Sequence, residues 1–445
     1  MSSLRNGLTP RLKPLPARKS TLLSVLDVGT SKVVCLIAQL IPVSESDVLR
    51  RRTHQVRVLG IGHQRSLGLK GGIVVDLEAA EQAIRQAVDA AERMAKVEVQ
   101  SVIVNLTGGR LASQSFTANV ATRGTVTNAD VHRVLDAASA HSLKPGRVVL
   151  HALPTAYALD GQKGVLDPVG MIGDNLGVDL NVVTSDASAA RNLMLAVERC
   201  HLNVEAIVAS PYAAGIATLV DDEAEMGGLV IDLGGGTTSF GAFFAGHLVH
   251  ADAVAVGGHH VTMDIARGLS THIAAAERLK TLYGAALPSA SDEREIIAVP
   301  LVDETERDVP NHMPKSHLVR IIRPRVEEIL ELVRDRLKAA GYAPADGRRV
   351  ILTGGASQLT GLPEVARRIL AGPKGSAQVR IGRPLGIKGL PEAAKGPAFA
   401  AAVGLLVYPQ IAHIEHFEPK AARTMLATGT DGYLSRMGRW FRESF

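Results

Sequence analysis

Leu26-Asp27-Val28-Gly29-Thr30-Ser31-Lys32 and Ile231-Asp232-Leu233-Gly234-Gly235-Gly236-Thr237-Thr238 decide how this chain reads. Each is a hydrophobic run ending in aspartate, then a glycine-rich turn with hydroxyls, then a second apolar run. Glycines let backbone N–H groups point into the turn and approach phosphate oxygens closely. The hydroxyls of Thr30, Ser31 and Thr237 add donors, and Lys32 brings a point charge suited to the β- and γ-phosphates. Asp27 and Asp232 would repel phosphate directly, so they suit a water-bridged Mg²⁺. One such segment alone is also what an ordinary hairpin turn looks like. Two of them, with Thr353-Gly354-Gly355-Ala356-Ser357 closing a strand in the last third, leave that reading little room. Gly354 and Gly355 offer a floor without side chains on which an adenine can lie. The chain has no P-loop and no Rossmann glycine fingerprint, which weighs against other nucleotide folds.

Around these turns the pattern is mixed α/β. Leu22–Leu26, Val33–Ala38, Val56–Gly62, Val102–Leu106, Leu229–Leu233, Phe240–Phe244 and Val350–Thr353 are strand-length apolar runs. Ala80, Ile84, Ala87, Val88 and Ala91 recur at helical spacing and predict a helix over 77–94. Further helices are expected over 129–140, 187–199, 362–370 and 397–407, with two short ones between 265 and 283. From 107 to 183 the texture changes to short strands and glycines. The charged, proline-broken stretch 292–314 reads as extended or looped. Ile322, Val326, Ile329, Leu330, Val333 and Leu337 stripe a long helix, with Pro324 expected in its first turn.

At 445 residues, roughly two to four domains are expected. Aromatic residues make up only 3%, so the core must be aliphatic, and the single Trp, Trp440, lies almost at the end. The net charge of +5 is a mild basic tilt, and nucleic acid is not expected as a partner. Cys35 and Cys200 fit a reducing compartment and exclude a disulfide scaffold. No apolar run reaches the ~18 residues of a membrane span. The first twenty residues carry Arg5, Arg11, Lys13, Arg18 and Lys19 among prolines, with no apolar core for a signal peptide; they read as a disordered basic arm.

Two phosphate hairpins in duplicated halves, with a late Gly-Gly motif, resemble the actin/Hsp70/sugar-kinase superfamily. Within it the chain is similar to the FtsA family of bacterial cell-division proteins. The likeness is carried by Gly71-Gly-Ile-Val-Val-Asp76, Asp167-Pro-Val-Gly-Met171, Val197-Glu-Arg-Cys200, Gly257-Gly258 with Val261-Thr262 and Asp264-Ile-Ala266, Ala276-Glu277-Arg-Leu-Lys280, Ile322-Arg-Pro-Arg-Val-Glu327 and Leu352-Thr-Gly-Gly-Ala356. The resemblance implies an actin-like fold of two ribonuclease-H-like halves with ATP and Mg²⁺ in the cleft between them. It implies subdomain 1A over 21–106, 184–209 and 389–410, and subdomain 1C over 107–183. Subdomain 2A would take 210–256 and 321–388, and 2B 257–320. A basic arm (1–20), a linker (411–430) and a terminal helix (431–445) complete the chain.

By position, Gly29, Thr30, Ser31 and Lys32 would form the first phosphate loop, and Gly234, Gly235, Gly236 and Thr237 the second. Gly354, Gly355 and Gln358 would flank the adenine, and Glu277 and Lys280 would reach the ribose; taken alone, that pair is only an i,i+3 ion pair. Asp27 and Asp232 would hold Mg²⁺ through water. Where the superfamily closes its second loop with an aspartate, this chain has Ser239. Weak or absent ATPase activity is therefore expected. The family's partners would be the C-terminal peptide of FtsZ on 2B, later division proteins on 1C, and further copies of the chain in a filament.

On a helical wheel of ~100° per residue, Tyr433, Leu434, Met437, Trp440, Phe441 and Phe445 fall within an arc of about 140°. Arg436, Arg439, Arg442 and Glu443 lie opposite. Large apolar groups on one face and arginines on the other suit a helix lying in an anionic lipid surface. The expectation is a peripheral protein on the cytoplasmic face of the inner membrane, at the division site. Two alternatives share the core: an actin-fold small-molecule kinase, and an actin-like adaptor of a pilus or secretion machine.

Overall fold

Thr21–Val28 alternates into an almost wholly buried run, and it pairs antiparallel with Lys32–Pro42 across the first glycine turn, Val28 facing Val33. A computed structural model describes residues 9–43, 52–140, 144–302, 311–342, 349–371 and 377–416. The expected tail helix, with Tyr433, Leu434, Arg436, Met437, Arg439, Trp440, Phe441, Arg442 and Phe445, lies outside the described residues.

The first sheet runs Asn203–Ala209, Ser101–Leu106, Thr21–Val28, Lys32–Pro42, His54–Arg65 and Ile387–Lys388. Its first three strands are parallel, and the next two turn antiparallel. The second sheet repeats this order with Gln378–Ile381, Arg349–Thr353, Gly228–Leu233, Thr238–Phe244 and His247–Val254, again parallel and then antiparallel. The duplication suggested by the two turns is thus a duplication of whole sheets, and the fold is the actin-like one expected. Each half has its own aliphatic core.

An inserted unit adds the long strands Ala112–Thr125, Arg147–Leu159 and Ile172–Asp186, the short Gln162–Val165, and the helix Asn128–Ser139. It has a third small core around Val134, Val149, Leu176 and Leu180. A single bridge, Asp252 to Ala112, joins its sheet to that of the second half.

Helix Leu77–Ala95 starts where the Asp76 carboxylate accepts the N–H groups of Glu78 and Ala79, a cap worth about 1 kcal/mol. Helices Ser210–Thr218 and Ala400–Val407 cross in the first core at Gly404, where any side chain would strike the Ala213 carbonyl. Tyr212, Ala213, Ala214 and Ala217 belong to that first core, as do Leu219 and Val230, so it continues past 210.

Three other expectations give way, while that for 292–314 holds. The stretch 292–314 is extended in part, as expected: Ile296–Val299 pairs with Asn311–Pro314 in a two-stranded ribbon. Helix Lys315–Ala339 begins well before Pro324, which sits in its interior. The hydrogen bond that Pro324 cannot make would end on Arg320, and both residues are exposed, so water can satisfy the carbonyl. The arm expected to be disordered over 1–20 is packed from Thr9 onward: Thr9 is buried, and Leu12 and Leu15 lie against the first core. The linker expected from 411 begins later, because Ile411 and Ile414 pack against the same core.

Candidate functional site

The two turns are built alike. Gly29 N–H donates to the Lys32 carbonyl at 3.0 Å, and Gly234 N–H to the Thr237 carbonyl at 2.9 Å. Their tips meet face to face. A side chain at Gly236 would come within 2.5 Å of the Thr30 hydroxyl, and one at Gly235 within 2.8 Å of Ser31 Cβ. Only glycine allows this approach, and it brings both sets of turn N–H groups to one place. The segment after the His54–Arg65 strand covers the first turn. Ser66 N–H donates to the Ser31 carbonyl at 3.1 Å, and Gly72 N–H to the Thr30 hydroxyl at 3.0 Å.

Asp27 and Asp232 lie at the ends of their strands, deep between the halves. Asn105 Nδ2 donates to Asp27 Oδ1 at 2.6 Å, while its own oxygen accepts the Val28 N–H at 2.8 Å. Burial pushes the Asp27 carboxyl up from its ordinary value, against the pull of Lys32 and the Asn105 bond. Asp232 is pushed up to about 7, by burial first and by the negative charge of Asp27 second. Lys32 is lowered by burial, with both aspartates opposing. Its ammonium donates to the Ala398 carbonyl at 2.5 Å and sits 3.6 Å from the Phe399 ring centroid.

Gly354, with φ 85°, places its bare Cα against the Asp232 carboxylate, and its N–H donates to the Pro397 carbonyl at 3.1 Å. Beside it, the Cβ direction of Gly355 is open, the nearest atom being Ala398 Cβ at 4.0 Å. Gln358 is exposed and donates to the Gly355 carbonyl at 3.3 Å. Helix Gly258–Gly268 abuts the second turn: Gly258 and His259 N–H groups donate to the Gly234 and Gly235 carbonyls at 2.9 and 2.7 Å. Glu277 and Lys280 pair at 2.6 Å, and Lys280 also reaches the Gly258 carbonyl and the Thr262 hydroxyl. Burial would raise Glu277, but hydrogen bonds from Lys280 and Thr262 outweigh it and hold its carboxyl low.

These contacts bring the two turns together, set Gly354 beside Asp232, and join Glu277 and Lys280 to the second turn through Gly258 and Thr262. Ser239 is fully buried opposite Asp232, and its hydroxyl has no partner among the described residues. Sequence reading gave no site role to Asn105, Thr262, Ala398 or Phe399. The signal for Asn105 was available: it is the one amide in the otherwise aliphatic strand Ser-Val-Ile-Val-Asn-Leu, and a buried polar group needs a partner.

The chain aligns over 438 residues, 98% of each partner, with a cell division protein FtsA of Rhizobium meliloti (strain 1021), at 55% identity. It belongs to the FtsA family of cell division proteins. The FtsA of Escherichia coli (strain K12) is 32% identical over 428 residues, 94% of this chain and 97% of that protein. Family profiles agree: one for cell division protein FtsA matches residues 229–404, and one for the SHS2 domain inserted in FtsA matches 108–184. Among solved structures, a PilM-PilN type IV pilus biogenesis complex superposes with a TM-score of 0.59 at 17% identity, over 87% of this chain and 98% of that one. An MreB 5 of Spiroplasma citri bound to AMPPNP gives 0.50 at 14% identity, over 88% and 96%. At such identities these two speak for the fold alone.

The side chains of this site are of the kinds that could hold a magnesium nucleotide. Two carboxylates share a single ammonium, and burial raises both of their pKa values, Asp232 to about 7; a divalent cation beside them would favour their ionised forms. No group of three or more metal-ligating side chains occurs among the described residues. An ion there would take its remaining ligands from water and phosphate, the habit of Mg²⁺.

Proposed function

We propose that this FtsA-family chain binds ATP with Mg²⁺ in the cleft, assembles into actin-like filaments, and tethers FtsZ to the cytoplasmic face of the inner membrane. Family membership favours this reading over a small-molecule kinase or a pilus adaptor. The observation that carries the nucleotide assignment is the convergence of both glycine turns on the buried Asp27–Lys32–Asp232 group. Gly29, Thr30, Ser31 and Lys32 on one side and Gly234, Gly235, Gly236 and Thr237 on the other would hold the phosphates. Gly354, Gly355 and Gln358 would flank the adenine, and Glu277 and Lys280 the ribose. A bound Mg²⁺ would supply charge neutralisation of the phosphates; Asp27, oriented by Asn105, would hold its water shell. Ser239 in place of a carboxylate makes slow or absent hydrolysis the expectation.

Tethering rests on the amphipathic arc of 433–445. A single short helix binds lipid marginally, because folding it costs ordering entropy. A filament presenting many such helices to one surface gains avidity without new contacts, so assembly and attachment reinforce each other. FtsZ's C-terminal peptide on 2B and later division proteins on 1C complete the reading; no helix of the described residues is long and apolar enough to cross a membrane.

Vesicle co-sedimentation with and without ATP tests the tether. Trp440→Glu removes part of a burial worth at most roughly 1.5–3 kcal/mol and adds a charge on the lipid side, so binding should fall more than about tenfold. Arg436→Ala should cost about 1 kcal/mol, only on anionic lipid and less in high salt. The emission of Trp440, the sole tryptophan, should shift blue on adding vesicles. Sedimentation unchanged after deleting 431–445 would overturn the tether.

A further inference from the structure

The strand Arg147–Leu159 of the inserted unit is gripped from both ends of the chain. From the N-terminal side, Thr9 is buried and its hydroxyl donates to the Val149 carbonyl at 3.1 Å. Leu12 and Leu15 then pack on the first core, and the Pro16 carbonyl lies 3.3 Å from His54 Nε2. From the C-terminal side, Ile411 and Ile414 pack on the same core. The Glu415 carboxylate, only 3% exposed, meets His151 Nδ1 at 2.9 Å. His416 N–H donates to the Ala152 carbonyl at 2.9 Å, and its ring Nε2 lies 3.1 Å from Asp136 on helix Asn128–Ser139.

The chemistry of Glu415 shows that this is more than a passing contact. His151 Nε2 accepts the Ala209 N–H at 2.9 Å, so that nitrogen carries no proton and Nδ1–H is the one that donates to Glu415. Tyr408 hydrogen-bonds to the same carboxylate, and burial together with that negative neighbour raises the phenol well above its ordinary value. A buried carboxylate is costly unless its oxygens are satisfied, and here the donors are supplied by side chains buried in advance. A residue that merely opened a solvated linker would have no need of such a socket. The positive charge of Arg11, on the arm, acts on both Tyr408 and His416, so arm and root share one neighbourhood.

We propose that residues 9–16 and 411–416 form a two-ended clasp on strand Arg147–Leu159, which fixes the root of the C-terminal tail to the inserted unit and loosens when the arm is displaced. The arm is thereby a regulatory strap. Its use rests on the tether reading of the tail: a seated root makes the inserted unit the part nearest the tail's point of exit. Release would add the six residues 411–416 to the tether, about 20 Å of extra reach when extended.

Hydrogen exchange on the full chain, without lipid or nucleotide, tests the clasp. Deleting residues 2–15 should speed exchange of the Glu415 and His416 amides roughly tenfold and loosen helix Asn128–Ser139, while helix Lys315–Ala339 stays unchanged. Should the deletion unfold the chain, helix Lys315–Ala339 would speed up as well; the double substitution Thr9→Ala, Arg11→Ala then replaces it, with an expected increase of about threefold. Coupling is reciprocal, so Glu415→Ala should in turn speed exchange at Leu12 and Leu15. Root amides that exchange at the same rate with and without an intact arm would overturn the proposal. Vesicle binding is read separately: a chain that shows the exchange coupling but binds no vesicles retains the clasp and loses the tether.

Discussion

The two glycine turns share a hydrogen-bond pattern and differ in what stands behind the aspartate. In the first half Leu26 pairs with Val104, and the next residue, Asn105, grips Asp27 with its amide. In the second half Asp232 pairs with Thr353, whose hydroxyl turns away to the Gly382 and Pro397 carbonyls. Gly354, the residue after it, leaves the Asp232 carboxylate uncrowded. Duplication has therefore kept the backbone and divided the chemistry. The first half supplies the cation Lys32 and an oriented carboxylate; the second supplies glycine-lined space and a carboxyl poised near neutrality.

The largest expected effect comes from filling that space. Gly355→Val meets no protein atom closer than Ala398, so the fold should survive while the isopropyl group occupies the space proposed for the adenine. ATP binding should fall at least about a thousandfold, ~4 kcal/mol, with an unchanged circular dichroism spectrum. Gly235→Val should also abolish binding, but by pushing against Ser31, and so at a cost in stability that Gly355→Val spares. Equal ATP affinity in the unaltered chain and Gly355→Val would place the adenine elsewhere.

A smaller effect probes the first half. Asn105→Ala leaves Asp27 and the Val28 N–H without their partner, so denaturant unfolding should show a loss of about 1–3 kcal/mol. The equivalent change in the second half, Thr353→Val, removes only a hydroxyl and should cost less. Reversal of that order would mean that the asymmetry between the halves has been misread.

The strands and both turns were legible because an apolar run ending in Asp-x-Gly is a local signal. Helix Ser210–Thr218 was not, since Ser-Pro-Tyr-Ala-Ala-Gly-Ile-Ala-Thr is buried on nearly every side and shows no amphipathic period. Pro324 misled because the start of a helix is a tertiary matter: the ribbon ending at Pro314 hands directly into Lys315. The arm and the root escaped for the same reason. Thr9 meets its partner 140 positions away and Glu415 meets His151 across 264, so composition read both segments as solvated.

The central claim is that one aspartate from each half faces a single magnesium nucleotide, and proton release measures it most directly. Asp232, with its pKa raised from 3.8 to about 7, is still partly protonated near neutrality in the folded chain. By linkage that contribution to the ligand-free fold is fully present below about pH 4 and is lost as pH rises from about 4 through 7. A bound divalent cation favours the carboxylate, so Mg·ATP binding at pH 6.5 should expel protons, and none at pH 8.5. Calorimetry in buffers of different ionisation enthalpy should therefore give buffer-dependent heats for the unaltered chain at pH 6.5, and buffer-independent heats for Asp232→Asn. Buffer-independent heats in the unaltered chain, or no ATP binding at all, would contradict the account.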